Sequence, residues 1–107
     1  MNSTPSVTNT PDDLIAGRKY TFHHDPGHGW LEVNLEDLVA LDITSKITPY
    51  SYQNGDKAFL EEDLDLSMFI RAYEERFGVP ITHDNLVNDV FYDDDSPIRG
   101  YASYQPS

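Results

Sequence analysis

Lys19-Tyr20-Thr21-Phe22-His23-His24-Asp25-Pro26-Gly27-His28-Gly29-Trp30-Leu31-Glu32-Val33 is the stretch on which the fold turns. Successive side chains of an extended chain point to opposite faces. Tyr20, Phe22 and His24 therefore share one face, with Lys19, Thr21 and His23 on the other. Residues 29–33 form a second strand. Between the strands, Pro26 presets φ for the second turn position and Gly27 accepts positive φ at the third. The spacing predicts a type II turn closing a β-hairpin.

Elements follow closely on the C-terminal side. Asn34 is a good helix N-cap, with Glu36 and Asp37 in the first turn, where the helix dipole favours negative charge. Leu35, Leu38, Val39 and Leu41 then face the core of a short helix. Residues 47–52 and 57–61 flank Asn54-Gly55, the strongest short hairpin signal, because both central residues must accept positive φ. Pro49 belongs at a strand start or edge. Asp63 or Asp65 caps the clearest helix, which runs to Phe77 and is stopped by Gly78 and Pro80. Leu66, Phe69, Ile70, Tyr73 and Phe77 lie on one stripe of it.

Residues 82–92 read ambiguously, with a short helix capped by Thr82 and carrying Leu86, Val87 and Val90 inward as one solution. Asp93-Asp94-Asp95-Ser96-Pro97 is an exposed loop, and residues 98–104 complete the sheet as a last strand. The expected architecture is α+β. A small antiparallel sheet of two hairpins and a C-terminal strand is packed by one main amphipathic helix and one or two short ones. Residues 1–16, rich in Ser, Thr, Pro and Asn, read as a disordered leader without the basic and apolar regions of a secretion signal. Residues 17–104 make one domain, and 105–107 a tail.

Charge restricts the partner. The chain has 107 residues, 19 acidic and 7 basic, and a net charge of −12. Such a surface disfavours nucleic acid and anionic membrane and attracts a basic protein. Residues 1–60 hold eight acids and four bases, and residues 61–107 eleven acids and three bases, so the field is strongest in the C-terminal half. Cysteine is absent, which removes disulfides and thiolate metal sites and fits a cytoplasmic setting. Without a phosphate loop, nucleophile elbow or dinucleotide fingerprint, no enzyme activity and no cofactor are expected.

Two acidic clusters are the candidate partner-binding residues: Glu61, Glu62, Asp63 and Asp65, and Asp93, Asp94 and Asp95. Trp30 is a candidate aromatic anchor. The competing explanations are helix capping for the first cluster and a solvated loop for the second. Metal candidates are His24, Asp25, His28 and His83, since imidazole and carboxylate suit zinc and related ions. His23 and His24 point to opposite faces and cannot share an ion without a bulge.

Residues 25–29 also resemble the sequence around a zinc-ligating histidine in the N-acetylmuramoyl-L-alanine amidases. That family requires a larger α/β domain and further Glu and His ligands downstream, whereas only His83 follows here. The match is one of chance, since Asp-Pro-Gly is ordinary turn chemistry. In size and charge the chain, above all residues 20–77, resembles small uncharacterised acidic proteins of bacterial phages and mobile elements. Such proteins include inhibitors of host defence enzymes and immunity proteins that mask toxic nucleases. The resemblance implies a non-catalytic module covering the basic surface of a nucleic-acid-acting protein. The alternatives are a metal-binding protein or metal-dependent hydrolase built on the His23–His28 hairpin, and a structural phage component.

Overall fold

The computed structural model describes residues 18–78, 80–81 and 86–106. The expected leader, residues 1–16, lies outside them. The architecture is α+β. A six-stranded sheet is formed by β1 (Tyr20–His24), β2 (Gly29–Asn34), β3 (Tyr52–Asn54), β4 (Lys57–Glu61), β5 (Leu86–Phe91) and β6 (Ala102–Ser103). Across the sheet the order is β5-β1-β2-β4-β3-β6. All neighbours are antiparallel except β1 and β5, which run parallel. Helix α1 (Leu35–Ala40) follows β2 directly, and helix α2 (Asp65–Phe77) links β4 towards β5.

Strand alternation divides the apolar side chains between two faces. Leu31 and Val33 of β2, Ala58 and Leu60 of β4 and Tyr20 of β1 join Phe69 and Tyr73 of α2 in the larger core. Tyr20 meets Phe69 edge to face at 5.4 Å, a favoured aromatic geometry. On the opposite face Trp30 and Phe59 pack with Ile98 as a second, smaller core. Both faces are thus covered, one by α2 and the other by the C-terminal segment. Of the two roles open to Trp30, core or contact residue, its 2% exposure gives the first. Its position on the inner side of a central strand, under Ile98, makes it core.

Several local expectations are corrected. Gly27 has no positive φ; the Asp25 carboxylate builds the hairpin turn instead, accepting from the N–H groups of Gly27 (3.0 Å) and His28 (2.9 Å). In the β3–β4 turn Asn54 pairs with Lys57. The two-residue loop is therefore Gly55-Asp56, with positive φ (62°) at Gly55 only, the pattern of a II′ turn. β3 is shorter than expected because residues 47–51 turn towards α2. At the N-terminus of α2 neither Asp63 nor Asp65 is the cap, a position held by Leu64. Gly78 ends the helix in the left-handed region, as its sequence predicts.

Residues 86–91, one reading of which was helical, are a strand. Spacing alone does not separate the two, and β1 offers a free edge for parallel pairing. Residues 82–85, with Thr82 and His83, lie outside the described residues. The C-terminal strand shrinks to Ala102–Ser103, because Pro97–Gly100 is a 3-10 turn that delivers Ile98 to Trp30 and Phe59. Order continues past residue 104, where the Gln105 N–H donates to Gln53 Oε1 at 2.8 Å.

In α1, Leu38 and Leu41 face the core, but Val39 is 67% exposed. Asp37 takes an inward position, fully buried, with Arg18 Nε 3.1 Å from its carboxylate. Burial pushes the Asp37 carboxyl above its ordinary range despite that arginine.

Candidate functional site

The sheet's directionality brings distant residues to one end. β1 finishes at His24, opposite the first residue of β2, Gly29. β4 runs antiparallel to β2 and finishes at Glu61, opposite Trp30. β5 runs parallel to β1 and finishes at Phe91, opposite His24. The 25–28 turn, residues 61–64 and the 92–99 segment therefore meet at the same end.

Asp25 ties this end together. Its side chain is fully buried and receives both Arg99 Nε (2.7 Å) and Arg99 Nη2 (2.9 Å). The Ser96 N–H also donates to it, at 2.9 Å. The Arg99 guanidinium, helped by backbone N–H groups of Ser96, His28 and Gly27, holds the carboxyl well below the usual range. Arg99 lies over the Trp30 ring at 5.4 Å and reaches Asp95 at 3.6 Å. Arg99 thus clamps the 25–28 turn to the 95–99 segment.

Beside that clamp opens a pocket of about 430 Å³, within the size range of ligand clefts. Its apolar wall is Trp30, Tyr50, Tyr52 and Leu64, and its polar wall His28, Glu61, Asp63 and Arg99. Tyr50 is 73% and Leu64 51% exposed. Glu61 is oriented by the N–H groups of Asp63 (2.7 Å) and Leu64 (3.1 Å). His28, Glu61 and Asp63 each offer a ligand atom within 4.8 Å of the others.

The candidate residues separate accordingly. Glu61 and Asp63 line the pocket, Glu62 is exposed next to them, and Asp93, Asp94 and Asp95 are exposed at the same end. Asp65 does not belong to this surface. It is 1% exposed and accepts from Thr48 Oγ1 (2.7 Å), Ser51 Oγ (2.6 Å) and the Thr48 N–H. Its role is to dock the start of α2 onto the 48–51 turn.

Of the metal candidates among the described residues, only His28 reaches a cluster able to hold an ion, and His83 lies outside those residues. Asp25 is consumed by Arg99 and backbone donors. His24 pairs with Asp89 at 3.0 Å and stacks on Phe91 at 4.5 Å. His23 lies on the other face, between Tyr92 (2.8 Å) and Glu32 (2.9 Å).

Arg99 escapes a reading of the sequence by motifs, its only signal being a lone arginine after an aspartate run. Tyr50 and Tyr52 are legible as tyrosines alternating with polar residues in a strand-like segment, a pattern that suits a contact surface or the rim of a small core. No protein family, curated protein or solved structure matches the chain. Among the described residues no helix is long and apolar enough to cross a membrane.

Proposed function

We propose that the chain is a non-catalytic acidic binding module that covers the basic surface of a nucleic-acid-acting protein, as inhibitors and immunity proteins do. One observation carries this reading: Glu61 and Asp63 line one pocket in whose wall Tyr50 and Leu64 are exposed, and Asp95 stands beside it on Arg99. Exposed aromatic and aliphatic groups supply the desolvated centre of an interface, and a surrounding acidic rim supplies steering and orientation. Charges on one rim reinforce each other within about 8 Å at physiological salt.

The test compares three proteins immobilised side by side in lysate of the source organism at low salt. They are the wild type, a rim variant (Glu61→Gln, Glu62→Gln, Asp63→Asn, Asp93→Asn, Asp94→Asn, Asp95→Asn), and a control with Glu74→Gln and Glu75→Gln on the outer face of α2. The expected outcome is one basic nucleic-acid-acting protein retained by wild type and control, released by a modest salt step and missing from the rim variant. Identical retention by all three would sink the reading.

A second reading, a metal-binding protein, is favoured by one specific observation, the convergence of His28, Glu61 and Asp63. An imidazole with two carboxylates suits zinc or manganese. Untagged protein equilibrated with Zn²⁺ and desalted is expected to retain one ion under this reading. His28→Ala would lose it and His24→Ala keep it. Retention that ignores His28 would dismiss the site.

A further inference from the structure

We infer that the pocket between Tyr50, Tyr52, Glu61 and Asp63 takes a single arginine side chain of the basic partner. This deepens the basic-partner reading and rests on it. The molecule already contains the arrangement once. Arg99 lies with its guanidinium over Trp30 at 5.4 Å and with Nε and Nη2 both donating to one carboxylate, Asp25. The pocket that opens beside it offers the same kinds of group again, with Tyr50 and Tyr52 next to the indole and the carboxylates of Glu61 and Asp63 across from them in the wall. Among the described residues, no Lys or Arg pairs with Glu61 or Asp63. Arg99 is the one Lys or Arg among the described residues of the pocket wall, and its charge is matched by Asp25 and Asp95.

The occupant follows from the wall. A guanidinium is planar and weakly hydrated, stacks on aromatic faces and bonds carboxylates through a fork of donors. A lysine ammonium is compact and strongly hydrated, and gains less from the ring faces. The apolar part of the wall, with Leu64 51% exposed, suits the methylene stem of a long side chain. A small hydrated dication makes no use of it. Charge complementarity points the same way, since a chain of net charge −12 draws cationic segments towards its surface.

The test uses the full chain and two peptides, hexa-arginine and hexa-lysine, titrated by calorimetry at low salt. Hexa-arginine is expected to bind roughly fivefold tighter or more, the scale of a cation–π contact that lysine makes poorly. Tyr50→Ala, at an exposed position, and Asp63→Asn should each abolish the preference. The Glu74→Gln, Glu75→Gln control should weaken both peptides slightly and keep it. Equal affinity for the two peptides, or a preference that survives both pocket variants, overturns the arginine pocket while leaving the acidic-module reading in place. If neither peptide binds, the acidic-module reading falls with it.

Discussion

Two buried aspartates, Asp25 and Asp37, make opposite contributions to stability. The folded-state pKa of Asp25 is depressed by Arg99 and backbone donors. Its stabilisation is complete above the unfolded-chain value of about 4 and drains away as pH falls towards the depressed value. The pKa of Asp37 is raised, chiefly by burial. Its ionisation costs stability as pH rises through that raised value, and the cost disappears in acid. Thermal melts across the acid-to-neutral range should separate the two. Asp25→Asn is expected to lower Tm near neutrality and to flatten the acid limb. Asp37→Asn should remove a decline that the wild type shows on leaving acid. Gly27 offers a steric check on the same clamp. A Cβ there would sit 2.8 Å from Arg99 Nη2, whereas one at Gly100 meets open space. Gly27→Ala is expected to cost about 1 kcal/mol by denaturant titration, because the Arg99 Nη2 it displaces is hydrogen-bonded to Asp25, and Gly100→Ala close to nothing.

Elements are joined here by side chains whose local context suggests other work. Asp65 sits at the start of α2, where an acid ordinarily serves the helix dipole. Its carboxylate instead gathers Thr48 and Ser51, and so fixes the turn preceding β3 and the height at which α2 enters. Asp65→Ala would leave those buried donors unpaired, at an expected cost of roughly 3 kcal/mol. Urea denaturation, with far-ultraviolet dichroism to confirm a folded baseline, measures it. Asp42, just after α1, holds φ of 59° without being glycine. Replacing it with glycine relieves that backbone and should raise stability by about 0.5 kcal/mol, less than the full propensity difference because aspartate tolerates this region.

For the molecule as a whole, a net charge of −12 on 107 residues sets like charges against one another. Self-repulsion weakens the compact state and salt screens it. Tm should therefore rise as sodium chloride increases from low to physiological levels, while affinity for any basic partner falls over the same range. A Tm insensitive to salt would show that the acids are already compensated locally, as Asp25 is by Arg99. The same quantity thus links stability and recognition with opposite signs.

Local chemistry was enough to determine the first hairpin, the β4 strand, the extent of α2 and its Gly78 stop, and the acidic character of the surface. Each depends on residues within a few positions of one another, where alternation, helical spacing and turn residues act directly. Tertiary structure decided the rest. Residues 86–91 became a strand because β1 presented an edge, a partner more than sixty positions away. Trp30 became core because Ile98 arrives over it. Asp25 and Asp65 turned inward because donors from residues 96–99 and 48–51 meet them there. The two acidic clusters came to one end of the sheet because β4 and β5 both run towards it. Strand direction is set by pairing between distant segments, and short-range sequence patterns carry no information about that.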